Sequence, residues 1–138
     1  FVGMRPSTTR AEMGLAVMEG VSFGLRDILD RAGVRVDRAR ICGGGARSAL
    51  WRRITASALG VTLETVATEK GPAYGAALLA MTGCGEYNSL KEACDACVRV
   101  TDEILPDDEL KARYDELYKV YAGLYPALRQ TFRNMRGI

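Results

Sequence analysis

An α/β fold, a short sheet packed by helices, is predicted by three observations on the 138-residue sequence. Helical periodicity alternates with two short β-prone runs, a helix-length segment separates those runs, and glycine or proline marks most boundaries. The order reads α-β-α-β-α, then a short helix, an extended stretch and a long C-terminal helix.

Residues 9–32 form the first predicted helix. Thr9 and Glu12 fit a capping box, Gly33 fits the stop, and Met13, Val17, Val21, Leu25 and Ile28 mark one apolar face, expected to be buried. A second stripe of small residues, Ala16, Gly20 and Gly24, costs helix propensity and so predicts close approach of another backbone. Glu19, between the stripes, reads as a solvated or paired glutamate, because no second acid stands at a spacing suited to acid–base work.

The run "RARICGGG" is a brief strand that ends in three glycines, and Ser48–Leu59, closed by Gly60, is the next helix. "VTLETV" at 61–66 alternates with period two. "EKGPAYGAALLAMTG" then resumes helix, with Pro72 in the first turn and Gly83 at the stop. The helix between the two strands is long enough to make them parallel neighbours. A short helix at 89–97 carries a second capping box, Ser89 with Glu92, before "VRVTDEILP" turns extended. The last helix starts near Asp107. Leu110, Tyr114, Leu117, Tyr121, Leu124 and Leu128 form its seam, Glu109 with Arg113 and Asp115 with Lys119 are expected i, i+4 pairs, and Pro126 predicts a kink or break near Ala122–Gly123.

Nearly balanced charge, +2 in all, gives no nucleic-acid footprint, and no apolar run approaches the roughly twenty residues of a membrane span. No cleavable signal pattern opens the sequence, so a cytoplasmic setting is expected, without nucleic-acid or membrane partners. Histidine is absent, which excludes histidine general bases, histidine metal ligands and serine–histidine triads from this chain. The opening "FVGMRPSTTR" has no initiator methionine and no disordered lead-in; the chain is expected to be a single-domain fragment of a longer polypeptide. Cys94 and Cys97 form a lone C-x-x-C with no second pair, so they and Cys42 and Cys84 read as ordinary thiols.

The glycine turn is the main functional signal. Consecutive glycines after a strand permit positive φ and leave backbone bare, and a helix that starts just beyond can offer free N–H groups to a phosphate or a flat polar ring. Geometry alone leaves a plain chain reversal equally open. Gly43-x-Gly45-x-x-Ser48 partly matches the dinucleotide fingerprint, with Glu64 near the place of a ribose-binding acid. Against that reading, the third glycine is Ser48, Glu64 sits mid-strand, and a helix precedes the motif. The tyrosine–leucine seam of 110–128 could instead serve an interaction module, although core packing explains its spacing better than a stacking platform for bases.

The ordered series "TTRAEMGLAVMEGVSFGLRDIL", "RICGGGARSALWRRITASALG", "EKGPAYGAALLAMTGCG" and "YDELYKVYAGLYPALRQTF" resembles the C-terminal part of FGGY carbohydrate kinases over nearly the whole chain, most closely the members that phosphorylate D-xylulose. The resemblance implies one partial lobe of the two-domain RNase H-like, actin-like ATPase fold and transfer of the γ-phosphoryl group of Mg-ATP to a sugar hydroxyl. It places Gly43, Gly44, Gly45 and Ala46 along the adenosine of ATP, with Arg47, Ser48 and Ala49 at the adjoining helix start. Gly71, Gly75 and Ala76 would let the next helix pack behind the pocket. The catalytic aspartate, the sugar contacts, the phosphate loops and most of the Mg2+ site belong to parts outside these residues. No catalytic residue or metal ligand is therefore assigned here: Asp27, Asp30 and Asp37 read as capping or solvated acids, and the chain alone is expected to be inactive. Gluconate, ribulose, fuculose, rhamnulose and glycerol kinases share the scaffold. An isolated lobe would also expose apolar faces, so self-association into a homo-oligomer is expected.

Overall fold

The computed structural model describes residues 1–67 and 71–136. Its elements are α1 (Arg10–Ala32), β1 (Arg38–Ile41), a 3-10 turn (Gly44–Arg47), α2 (Ala49–Leu59), β2 (Thr62–Val66), α3 (Gly71–Gly83), α4 (Leu90–Cys97), β3 (Val100–Ile104) and α5 (Asp108–Met135). Glu69 and Lys70, read above as the opening of the third helix, lie outside the described residues.

Local chemistry sets most boundaries. The Thr9–Glu12 capping box closes in both directions, and Gly33 and Gly60 end α1 and α2 in the left-handed conformation, with φ of 64° and 67°. Asp107 caps α5 through the Leu110 N–H. The second capping box forms only in part: Ser89 Oγ accepts from the Glu92 N–H, but the Glu92 carboxylate accepts from the Asn88 N–H and side-chain amide instead of the cap residue's N–H. Helix α5 runs unbroken through Pro126. The lost donor leaves only the Ala122 carbonyl without its helical bond, on an exposed face where water can satisfy it.

The sheet has the order β1-β2-β3. Strands β1 and β2 are parallel, with Arg40 opposite Glu64, and α2 makes the crossover. Strand β3 is antiparallel to β2, and its register slips between Thr65 and Val66, so that Thr101 is left over as a bulge.

Helix α2 is the centre of the packing. Its consecutive residues Ile54, Thr55, Ala56, Ser57 and Ala58 are all buried. Ile54 and Ala58 join Phe23 of α1 and Tyr114 of α5 in one core cluster, while Ala56 joins Val61 and Leu63 beneath the sheet. Ser57 Oγ donates to the Arg53 carbonyl and accepts from the Asp107 N–H, which ties the start of α5 to α2. Helix α1 turns a different face inward from the one its apolar stripe predicts. Phe23 and Ser22 are buried, with Leu15 and Met18 against the core, whereas Val17, Val21, Leu25 and Ile28 are 43–64% exposed. The inner face is partly polar and satisfied. Ser22 Oγ donates to the Met18 carbonyl and shares a 3.0 Å hydrogen bond with Thr55, and Tyr114 donates to Glu19 at 3.1 Å. The small stripe meets no second backbone among the described residues: nothing lies within 4 Å of a Cβ placed at Gly20, and only the Tyr121 hydroxyl, at 3.6 Å, at Gly24.

Three tyrosines of α5 surround Phe23, with Tyr114 edge-on at 5.5 Å between centroids. Arg26 stacks 4.3 Å over the Tyr118 ring and pairs with Asp115 at 2.7 Å. Lys111 takes the other Asp115 oxygen, so the expected Asp115–Lys119 pair does not form; Lys119 pairs with Glu116. Burial, then the neighbouring carboxylates Asp30 and Asp27, push the Tyr118 phenol up to about 12. Tyr114 moves the same way through burial and Glu19. Unfolded tyrosines ionise near 10. The stability held by these protonated phenols is therefore whole below about pH 10 and declines as pH rises through their folded values. The urea midpoint should fall between pH 8 and pH 11, by less in Tyr118→Phe; equal falls in both proteins would show that Tyr118 does not contribute.

Candidate functional site

Strand β1 delivers the chain to Cys42 and then to Gly43, whose φ of 88° and ψ of −173° suit glycine almost alone. The following residues wind into one 3-10 turn, closed by the Ala46 N–H on the Gly43 carbonyl and the Ser48 N–H on the Gly45 carbonyl. This turn holds Gly44 and Gly45 and leads into α2, in the strand-turn-helix order that the sequence predicts. Ser48 caps α2 by accepting from the Trp51 N–H at 3.2 Å.

A recess of about 180 Å³ opens beside this bend, lined by residues that include Cys42, Gly43, Ala46, Arg47, Arg52 and Thr65. Ile41 and Val66 also border it, so it lies at the carboxyl ends of the two parallel strands, where α/β sheets bind ligands. Of the seven residues predicted for the site, Gly43, Ala46 and Arg47 line the recess. Gly44 adjoins it, and no atom of the described residues lies within 4 Å of where its Cβ would stand. Gly45 turns to Trp51, whose ring carbons lie 3.2 Å from the place of its Cβ. Ser48 is occupied as the cap, and Ala49 opens α2 outside the lining.

The prediction missed three polar lining residues. Arg52 stands one helical turn beyond the cap; its Nη1 is 3.4 Å from Asp102, and its Nε is buried with no hydrogen-bond partner among the described residues. Thr65 and Thr101 share a 3.0 Å hydroxyl hydrogen bond across the strands at the bulge. Arg52 was within reach of i, i+4 reasoning, whereas Thr101 depends on a slipped antiparallel register that no local signal carries.

The recess is smaller than the roughly 300 Å³ at which small-molecule pockets begin, which suits one wall of a site. A larger cavity of about 480 Å³ lies elsewhere, between the end of α1 and the second half of α5, and is lined by apolar residues such as Tyr125 and Phe132. Glu64 does not serve the recess. It is one residue from Thr65 and so points to the opposite face of the sheet, where Arg38 at 2.9 Å and Arg40 at 3.2 Å hold it and keep its carboxyl below the usual range. That removes the ribose-binding acid from the dinucleotide reading. No group of three or more cysteine, aspartate or glutamate side chains placed for a metal occurs among the described residues.

Residues 1–84 match the family model for the C-terminal domain of FGGY carbohydrate kinases. The chain belongs to the FGGY family of carbohydrate kinases. A xylulose kinase of Staphylococcus epidermidis is 32% identical over 133 residues, which cover 94% of this chain and 27% of that protein. A ligand bound xylulose kinase from Lactobacillus acidophilus superimposes with a TM-score of 0.85 over 98% of this chain and 28% of that one, at 23% identity. A gluconate kinase from the same organism gives 0.79 over 93% and 26%, at 24% identity. The FGGY chain thus spans about a quarter of the length of these relatives. Its sheet and helices are part of the RNase H-like, actin-like ATPase fold of the family.

Proposed function

We propose that this FGGY domain is the ATP-binding C-terminal lobe of a cytoplasmic sugar kinase, a single unit over residues 1–138, and that the complete enzyme phosphorylates D-xylulose. The observation that carries the nucleotide reading is the recess at the carboxyl ends of β1 and β2, walled in part by bare backbone at Gly43, with Gly44 adjoining it. A flat purine can approach such a wall without meeting side chains, and the Thr65 and Thr101 hydroxyls supply polar partners beside it. Arg47 and Arg52 put positive charge at the same mouth, suited to the anionic end of ATP. The domain's part is to position the nucleotide, since phosphoryl transfer rests on alignment and charge stabilisation.

Mg2+ does not fit the recess. No carboxylate lines it among the described residues, and Asp102, next to the lining residue Thr101, is engaged by Arg52. We assign the metal, the base that takes the sugar proton and the sugar contacts to polypeptide beyond this chain, which alone should transfer no phosphate. D-xylulose is favoured by the similarity in sequence to xylulose kinase, while the match in fold to a gluconate kinase keeps other sugars as alternatives.

Separate titrations with ATP and NAD, followed by calorimetry and by the amide resonances of a labelled sample, test the reading. ATP should bind and move Gly43, Ala46 and Arg47. Preference for NAD, or shifts confined to other regions, would overturn it.

Self-association of the isolated chain belongs to the same proposal. Val17, Val21 and Ile28 on α1 are about half exposed or more, and α3 carries no charged residue yet buries only Leu78. The light-scattering mass should rise with concentration, and Val21→Lys with Ile28→Lys should lower it. A monomer at every concentration would refute this part.

A further inference from the structure

We infer that Gly71, the first residue of α3, is a positioning residue for the glycine bend, clamping the strand exit by leaving room for the Cys42 thiol. The inference rests on the nucleotide reading of the recess and adds a residue that lies outside its lining. A Cβ built on Gly71 would stand 2.5 Å from Cys42 Sγ and 3.2 Å from Cys42 Cβ. Among the described glycines this is the tightest such contact, and Gly71 stands in helical backbone as the first residue of α3. The start of α3 therefore lies directly against the residue that precedes Gly43 and itself lines the recess.

A second contact holds the bend from the other side, where the Trp51 ring of α2 fills the space at Gly45. Between these fixed points, nothing among the described residues lies within 4 Å of the place a methyl group would take at Gly43 and Gly44. The wall offered to a ligand is thus set by its two ends. A side chain at Gly71 must turn the exposed Cys42 thiol out of its place, push Cys42 and with it Gly43, or move α3 away. Gly75, one turn along α3, has nothing among the described residues within 4 Å of an added Cβ and is the natural control.

Four labelled variants of the chain test the clamp: Gly71→Ala, Cys42→Ala, the double variant and Gly75→Ala. Gly71→Ala should displace the amide resonances of Gly43–Arg47 and weaken ATP binding about tenfold, the scale of modest overpacking. The double variant, with the sulfur gone, should return both readouts to within about twofold of the starting chain, which general loss of stability would not do. Gly75→Ala should change neither. If Gly71→Ala does not fold, Cys42→Ala decides alone: the gap it leaves should move the same resonances and loosen ATP binding. Unmoved resonances, a shift that the double variant fails to restore, or restored resonances with ATP affinity unaltered throughout would each overturn the proposal. Failure of the unmodified chain to bind ATP would overturn the nucleotide reading instead, while the resonances still decide whether Gly71 positions the bend.

Discussion

Tyr114→Ala is expected to cost about 3–5 kcal/mol, close to the whole stability of a domain with a core this small. Tyr114 is 1% exposed, stands edge-on to Phe23, and joins the cluster in which α1, α2 and α5 meet through Ile54 and Ala58. Truncation leaves a cavity at that junction, and the helices cannot close it because Ser22 with Thr55 and Ser57 with Asp107 fix their spacing by hydrogen bonds. Tyr114→Phe keeps the ring and loses only the bond to Glu19, for about 1.5 kcal/mol, the lower range for a charged acceptor, since Glu19 is only half-buried. Urea denaturation of the three proteins checks both figures. Near-equal losses in the two variants would mean that the hydroxyl, and not the ring, holds the helices together.

Gly43→Val should be the most damaging single change at the bend. The backbone there lies where a branched residue is strained by about 1–3 kcal/mol, and the new methyl groups would project from the recess wall. Loss of ATP binding by more than tenfold and a lower melting temperature are expected together. Gly44→Ala, with open space and no positive φ, should stay within about 0.5 kcal/mol of the starting stability. Thermal melts and an ATP titration settle the pair. A Gly43→Val protein that melts and binds like its parent would remove the bend from the nucleotide site.

What could be read from the sequence was what short-range chemistry controls. Thr9 with Glu12, Gly33, Ser48, Gly60 and Asp107 each fix a helix end through bonds to residues within about five positions, and each stands where the structure has it. The parallel pairing of β1 and β2 followed from the length of the crossover alone. The inner face of α1 did not follow. Its apolar stripe is real, but Phe23 is drawn inward by three tyrosines almost a hundred residues away, and Ser22 and Glu19 can be inside because Thr55 and Tyr114 satisfy them. Asp115 was likewise claimed by Arg26 from another helix before its own neighbour Lys119. At the bend, the glycines located the recess but not its lining: the 3-10 turn rotates Gly45 away to Trp51, and Arg52, Thr65 and Thr101 arrive from α2, β2 and a bulged β3.

Helix α2 lies between the sheet on one side and α1 with α5 on the other, with five successive residues cut off from solvent. Deuterium can reach the peptide nitrogens of 54–58 only when both layers separate, so their exchange rates measure the free energy of opening the entire unit, with no denaturant added.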